Sequence, residues 1–191
     1  MSDGTAAPTT PTAPAPATPV VQRVLRRGRY HSRTLRNARL RGAPLALGPR
    51  VAMTLGPQAR FDRGTGCTIA GDFHGEFHGR VRWGTDVFFN VGCYVSVFES
   101  LEIGDHCRFG ERVSIHDEDH VFEPRGADRG AYVTAPVVIG NDVWVGAGTI
   151  ILRGSKIGAG SVVAAGAVVR GEIPPHSLAA GVPARVVRPL R

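Results

Sequence analysis

The sequence predicts an all-β solenoid built from six-residue repeats. From residue 139 onward an aliphatic side chain recurs at every sixth position, and the fourth residue after it is small or β-branched. A period of six fits neither the helical period of 3.6 nor the strand period of 2, and it is typical of a hexapeptide solenoid. The composition agrees, because 25 glycines and 14 prolines with only 7% aromatic residues suit a fold of many tight turns. The positions predicted to face inward are Ile139, Val145, Ile151, Ile157, Val163 and Val169.

The chain before this repeat divides into two further segments. Residues 1–20 are rich in proline, alanine and threonine, which predicts a disordered tail. Residues 21–60 form a basic arm, in which 21–41 could be an arginine-rich amphipathic helix. That helix would either attract an anionic partner or cap the domain with its arginines in solvent. Residues 4–61 hold ten arginines and no acid, and the remainder is near neutral, so the net charge of +7 does not indicate nucleic-acid binding by the main domain.

The solenoid is predicted to span 61–172, with a closing segment at 173–191. The six-residue period extends upstream of Ile139, although less regularly. The step of eight residues between Val95 and Ile103 predicts a two-residue bulge. The step of 24 between Ile115 and Ile139 predicts that a loop, 116–137, leaves the solenoid and returns in phase. One coil cannot bury its inward apolar side chains alone, so the coils of a solenoid stabilise one another by stacking. Long insertions between coils commonly carry functional residues. The upstream inward positions are Phe77, Trp83, Phe89, Val95, Ile103, Phe109 and Ile115.

Neither a membrane span nor a secretory signal is predicted. The sequence holds no apolar run long enough to cross a bilayer, and its first twenty residues lack the charged start and apolar stretch of a signal peptide. We therefore expect a cytoplasmic protein without an integral membrane segment. The three cysteines, Cys67, Cys93 and Cys107, are expected to be small buried residues and not a disulfide framework.

The inserted loop begins with "SIHDEDHVFEP", which places His116 and His120 around three acids. A metal site is not expected, because two histidines four residues apart share a face on a helix but not on a strand that leaves for a loop. A neutral imidazole can instead remove the proton of a hydroxyl group as that group attacks. A carboxylate or a backbone carbonyl on the other ring nitrogen would fix the tautomer. Asp117, Glu118 and Asp119 all remain candidates for this role.

Several motifs together resemble the hexapeptide-repeat, left-handed β-helix acyltransferases. They are "FFNVG", "IGDHCRFGERVSI", "DEDH", "PVVIGNDVWVGAGTIIL", "IGAGSVVAAGAVV" and "IPPHSLAAGVPARVVR", between Phe77 and Arg188. Within that family the sequence is most similar to galactoside, maltose and exopolysaccharide O-acetyltransferases. The resemblance implies a homotrimer with active sites between neighbouring copies. It also implies direct transfer of an acetyl group from acetyl-CoA to a hydroxyl of a sugar or glycosylated acceptor.

The resemblance also implies roles for individual residues. His120 matches the catalytic histidine, Asn90 and Trp144 match residues at the acceptor, and Asp119, beside the histidine, is also expected to bind the substrate. Arg170 stands next to the position where many relatives carry a lysine. The residues expected at the coenzyme are Ala147, Ala165, Gly166, Arg170, Arg185 and Arg188.

Residue type alone leaves other interpretations open. Asn90 could hold a turn, and Trp144 could be an aromatic residue of the trimer interface. The arginines near the carboxyl terminus could be solvated residues of an end cap. Two further functions stay open as well: O-acetylation of an antibiotic or other xenobiotic, and a non-catalytic solenoid that serves assembly.

Overall fold

The computed structural model of the protein describes residues 20–23, 40–42, 44–124 and 126–191. Of these, 20–23, 40–42, 123 and 127–129 are described by their backbone alone. The predicted disordered tail therefore lies outside the described residues, apart from Val20, and so does the stretch 24–39 of the basic arm.

Every regular element in the described part of the chain is a β-strand. The strands of the first half are β1 (Val20–Arg23), β2 (Leu40–Gly42), β3 (Ala46–Leu47), β4 (Ala52–Leu55), β5 (Arg60–Arg63), β6 (Thr68–Ile69), β7 (His74–Phe77), β8 (Arg80–Trp83), β9 (Phe88–Phe89), β10 (Tyr94–Val97), β11 (Ser100–Ile103) and β12 (Arg108–Phe109). Those of the second half are β13 (Ser114–His116), β14 (Glu118–Glu123), β15 (Gly126–Thr134), β16 (Val137–Ile139), β17 (Trp144–Val145), β18 (Ile150–Ile151), β19 (Lys156–Ile157), β20 (Val162–Val163), β21 (Val168–Val169), β22 (Glu172–Ile173), β23 (Ser177–Ala180) and β24 (Arg185–Pro189).

These strands build a parallel solenoid of about six turns, which confirms the predicted fold class. Each turn contributes one strand to each of three faces. We call face A the sheet of β4, β7, β10, β13, β18 and β21. Face B is the sheet of β2, β5, β8, β11, β16, β19 and β22. Face C is the sheet of β3, β6, β9, β12, β17, β20 and β23, and β24 folds back antiparallel against β23 to close it.

The predicted inward positions all lie in the interior. The six from Ile139 to Val169 are at most 2% exposed. They stack in register one coil apart, so that Ile139 lies over Ile157 and Ile157 over Ile173 on face B. This stacking buries a continuous apolar column, and it explains why the six-residue period holds in the sequence.

The interior changes in character along the solenoid axis. The early coils are filled by aromatic rings, including Phe61, Trp83 and Phe89, whereas the late coils contain only aliphatic and small side chains. The ring of Trp83 packs against Phe61 and Phe89, with centroids 4.7 and 4.8 Å away. Gly75 makes room for this cluster, because a Cβ there would lie 2.9 Å from the Phe77 ring. The absence of a side chain at Gly75 thus leaves the space that the neighbouring rings fill.

Two boundaries differ from the prediction. The solenoid begins with β2 to β4, well before residue 61, since these strands pair in parallel with β5, β6 and β7. The sequence hides this first coil because its inward positions do not keep the six-residue period. Within the expected helix 21–41, the described residues at each end are strand: β1 at one end and β2 at the other.

The predicted insertion does leave the solenoid and return in phase, from β13 on face A to β16 on face B. It is not an irregular loop but an antiparallel hairpin of β14 and β15, which we call the inserted hairpin. Strand β1 pairs with the outer edge of β15 and completes a three-stranded sheet.

The three cysteines are buried and free, as expected. Each thiol lies near a backbone carbonyl of the next coil; the Cys107 Sγ, for example, is 3.1 Å from the carbonyl oxygen of Gly140. Burial raises the pKa of the Cys93 and Cys107 thiols to about 11, so they are poor nucleophiles near neutral pH.

Candidate active site

His120 lies on the inserted hairpin, outside the solenoid, and its side chain is exposed. The register pairs it with Tyr132 on the opposite strand, and the two rings lie 4.7 Å apart at 36°. A bulge follows immediately between His120 and Phe122. Bulges of this kind turn side chains away from the regular alternation, and they are common beside active sites.

Asp117 anchors the base of this hairpin. Its buried carboxylate accepts hydrogen bonds from the backbone N–H groups of Phe98, Glu99 and Ser100, at 2.7, 2.8 and 2.7 Å. Residues 98 and 99 form the turn between β10 and β11, and residues 78 and 79 form the same turn one coil earlier, so the eight-residue step is a corner of the solenoid and not the predicted bulge. One carboxylate thus links this turn to the hairpin. Burial raises the pKa of Asp117 to about 7, although the three amide donors oppose that shift.

The other two acids of the motif have partners of their own. The Asp119 carboxylate pairs with the guanidinium of Arg153, on the turn after β18, which ties the hairpin to the neighbouring coil. Glu118 lies 3.3 Å from Nδ1 of His116. The predicted role of Asp119 at the substrate stays a prediction, and its ion pair with Arg153 is an additional, structural role.

His116 remains on the solenoid, on the outer side of β13. Its Nε2 lies 2.8 Å from the Ser114 hydroxyl, and its ring stacks on Tyr94 at 5.4 Å. Tyr94 in turn stacks on His74, so three rings form a column along face A. The ring of His116 is therefore fixed by Ser114 and Tyr94, and its contact with Glu118 helps to fix that carboxylate.

The hairpin and face A enclose a pocket of about 330 Å³. Tyr94 contributes one ring to its lining, and a continuous run of three rings contributes more, because Phe98 packs on Tyr132 at 4.4 Å and Tyr132 packs on His120. Burial and the nearby charges of Glu76 and Glu118 raise the pKa of Tyr94. The residues that line the pocket are Glu76, Tyr94, Ser96, Phe98, Glu118, His120 and Tyr132.

Of these seven residues, the sequence identified His120 as catalytic and Glu118 as one possible orienting acid. Tyr132 could not be found, because its approach to His120 depends on the register of the hairpin. Glu76 and Tyr94 occupy outward positions on the coils that lie beneath the insertion, and such positions carry no periodic signal in the sequence.

Asn90 and Trp144 lie elsewhere on the protomer, along face C. The Asn90 Nδ2 donates to the Glu111 carboxylate at 2.7 Å, and its Oδ1 accepts the Val91 N–H at 2.9 Å. It thus holds a turn, the alternative that residue type left open. Trp144 is 59% exposed on the outer side of the same face. Neither residue lines the His120 pocket of its own chain.

The residues expected at the coenzyme gather mainly at the edge that follows face C. Ala147 and Gly166 lie in successive turns, joined by a hydrogen bond from the Gly166 N–H to the Ala147 carbonyl at 2.8 Å. A Cβ placed on Gly166 meets no atom of the described residues within 4 Å, so this edge is open. Ala165 is exposed in the same turn, and Arg185 and Arg188 are exposed on β24. Arg170 is exposed at a different edge, after face A.

Among the described residues, no three histidine, cysteine, aspartate or glutamate side chains are grouped to hold a metal ion. The same part of the chain contains no helix long and apolar enough to cross a membrane.

Fold and pocket together define a hexapeptide solenoid with a histidine-bearing hairpin, and comparison with known proteins agrees. The family described as "Bacterial transferase hexapeptide (six repeats)" matches residues 136–171. Nodulation protein L of Rhizobium meliloti is 38% identical over 123 residues, which are 64% of this chain and 67% of that protein. A galactoside O-acetyltransferase of Lactococcus lactis is 34% identical over 141 residues, 73% of this chain and 68% of that one.

A solved structure supports the same assignment. A hexapeptide-repeat acetyltransferase from Vibrio cholerae, crystallised with acetyl coenzyme A, is 27% identical with a TM-score of 0.57. The match covers 80% of this chain and 71% of that one. The chain belongs to the hexapeptide-repeat acetyltransferase family.

Proposed function

We propose that this protein is an acetyl-CoA-dependent O-acetyltransferase whose acceptor is a hydroxyl of a sugar or glycosylated molecule. One observation carries the proposal: an exposed histidine, His120, projects from a hairpin that Asp117 and Asp119 fix to the solenoid, and it borders a pocket large enough for one sugar ring. The galactoside O-acetyltransferase and the acetyl-CoA-bound structure among the similar proteins support the reaction class.

In this proposal His120 acts as a general base. Its neutral imidazole takes the proton of the acceptor hydroxyl while that oxygen attacks the thioester carbonyl of acetyl-CoA. The carbon–oxygen bond forms, the carbon–sulfur bond of the tetrahedral intermediate breaks, and the departing thiolate receives the proton from the imidazolium. The acceptor leaves as an acetate ester and the coenzyme as free thiol. No covalent enzyme intermediate is required.

The proposed site is completed between copies of the chain. His120 lies beside face A whereas Asn90 and Trp144 lie on face C, so one protomer does not bring them into one pocket. In a homotrimer, face C of one copy can approach the hairpin of the next. The exposed Trp144 would then wall the acceptor pocket of a neighbour.

The coenzyme is assigned to the open edge at Ala147, Ala165 and Gly166. Small residues there let an extended pantetheine arm approach the backbone. Arg185 and Arg188 are exposed nearby on β24, and guanidinium groups suit the phosphates of the nucleotide. Arg170 lies at a different edge of the solenoid, after face A. It would contact the coenzyme only if the coenzyme extended from the edge after face C to the edge after face A.

The test is release of free coenzyme A from acetyl-CoA across a panel of sugars, nucleotide sugars and antibiotics. With an active acceptor, His120→Asn is expected to lower kcat by at least about a hundredfold, as for loss of a general base. His106→Asn is the matched control, because His106 is exposed on a remote turn and asparagine tolerates its positive φ of 57°. Equal rates for His120→Asn and the wild type would refute the role of His120. If free coenzyme A is released only with antibiotics as acceptors, the protein is a xenobiotic O-acetyltransferase and the proposed sugar acceptor is wrong.

A further inference from the structure

Four rings pack in succession from the solenoid to His120. The ring of His78 packs on Phe98, Phe98 packs on Tyr132, and Tyr132 packs on His120, with centroids 4.5, 4.4 and 4.7 Å apart. We call these four rings the ring chain. It begins at the turn between β7 and β8 and ends on the proposed general base. The ring chain therefore connects His120 to the solenoid through side chains, in addition to the backbone of the inserted hairpin.

The inner part of the ring chain is fixed in place. Phe98 and Tyr132 are each 8% exposed. The backbone N–H of Phe98 donates to the buried Asp117 carboxylate at 2.7 Å, the same carboxylate that anchors the hairpin. Buried side chains among packed neighbours keep a single orientation. The ring that Tyr132 presents to His120 therefore has a defined position.

The outer end of the ring chain is less confined, because the side chain of His120 is exposed. The register places His120 directly opposite Tyr132, and the pairing becomes irregular immediately afterwards, between His120 and Phe122. Directly opposed residues of antiparallel strands carry their side chains on the same face. An exposed imidazole in solvent exchanges between rotamers, whereas a general base must hold a narrow range of distance and orientation. A contact with a buried ring restricts that exchange.

From these observations we infer that Tyr132 is a positioning residue: its ring, held by Phe98, fixes the imidazole of His120 in the orientation that removes the acceptor proton. This inference rests on the proposed function and goes beyond it, since it assigns a further residue to the same reaction. The contact joins the two rings, so the ring of Tyr132 is required for it and the hydroxyl group is not. Loss of the ring should therefore lower kcat and leave the binding of acetyl-CoA unchanged.

The test compares Tyr132→Phe, which keeps the ring, with Tyr132→Leu, which removes it. With an active acceptor, release of coenzyme A gives kcat and the KM for acetyl-CoA. Tyr132→Leu is expected to lower kcat by about tenfold to a hundredfold at an unchanged KM for acetyl-CoA. Tyr132→Phe should keep kcat within about threefold of the wild type. Equal losses in the two variants, or no loss in Tyr132→Leu, would overturn the role of the ring.

Phe122→Leu is the matched control, since Phe122 lies on the same strand as His120 and is 80% exposed. It should leave kcat unchanged. A second comparison introduces Tyr132→Leu into the His120→Asn variant. There it should change the remaining kcat by less than about twofold, because the side chain that it positions is missing. The same loss with and without His120 would mean that Tyr132 only shapes the pocket, and would refute the inference.

Nuclear magnetic resonance detects the contact without catalysis. The ring-proton signal of His120 is identified by its absence in His120→Asn. Tyr132→Leu should shift this signal, because the ring current of the tyrosine is lost, whereas Tyr132→Phe and Phe122→Leu should shift it much less. Near-ultraviolet circular dichroism confirms that each variant is folded, and Tyr132→Met takes the place of Tyr132→Leu if the latter does not fold.

The two measurements separate this inference from the proposed function. If no acceptor of the panel gives coenzyme A release, the proposed function is wrong and the His120 signal decides alone. A shift in Tyr132→Leu then supports the fixing of the imidazole by Tyr132, and an unchanged signal refutes it. If coenzyme A is released but kcat and the signal are unchanged in Tyr132→Leu, the acetyltransferase stands and the positioning role is wrong.

Discussion

The solenoid coils and the inserted hairpin obtain their structure in different ways. In the coils, each inward residue is buried by its equivalents one turn above and below, so the structure is a sum of similar layers. Among its described side chains, the hairpin buries only those toward its base, such as Ala131, Tyr132 and Thr134, and Phe122 on β14 is 80% exposed. Its position depends on a few polar links and ring contacts at its base. We conclude that the coils determine stability, whereas the hairpin positions His120, the proposed general base.

The largest expected effect on stability is in the aromatic coils. Trp83→Ala removes a ring that is 1% exposed and contacts three other rings, so it should lower the free energy of unfolding by about 3–5 kcal/mol. Trp144→Ala, at the exposed tryptophan, should change it by less than about 1 kcal/mol. Chemical denaturation of both variants measures this difference. Similar losses for the two would contradict the assignment of stability to the buried column.

A substitution of Asp117 tests how the inserted hairpin is attached to the solenoid. Asp117→Ala leaves three backbone N–H groups without their acceptor, which should destabilise the protein by about 2–3 kcal/mol. At a temperature where the variant is still folded, its kcat/KM should also fall, because the base of the hairpin is no longer fixed. The control Glu102→Ala removes only an exposed ion pair, worth about 0–1 kcal/mol. Destabilisation without loss of kcat/KM would show that the hairpin does not need this anchor.

The same contrast explains what could be read from the sequence. The inward residues from Ile139 to Val169 were predicted one by one, because each coil repeats the constraint of its neighbours. The contact between His120 and Tyr132 could not be predicted, since it depends on the turn and the bulge of one hairpin. The carboxylate of Asp117 was one of three equal candidates, and only the fold shows that it binds residues 98–100.

The residues that line the pocket could not be predicted from the sequence either. Outward positions such as Glu76 and Tyr94 are free to vary in a solenoid, so the repeat gives them no signal. They become informative only when the insertion is known to fold back over face A. The first coil was missed for the opposite reason, because its strands pair in register while its inward residues depart from the period.

The smallest expected effect concerns the outer edge of the hairpin. Strand β1 pairs with β15, and Gln22 lies opposite Tyr132, the partner of His120. Removal of residues 1–19 leaves β1 in place and should keep kcat/KM within about twofold. Removal of residues 1–23 exposes the edge of β15 and loses its backbone hydrogen bonds, each worth about 1 kcal/mol, so kcat/KM should fall several-fold. Coenzyme A release by the two truncated proteins measures the difference. Equal activity would mean that the hairpin is held from its base alone, by Asp117 and Asp119, and that β1 only covers its edge.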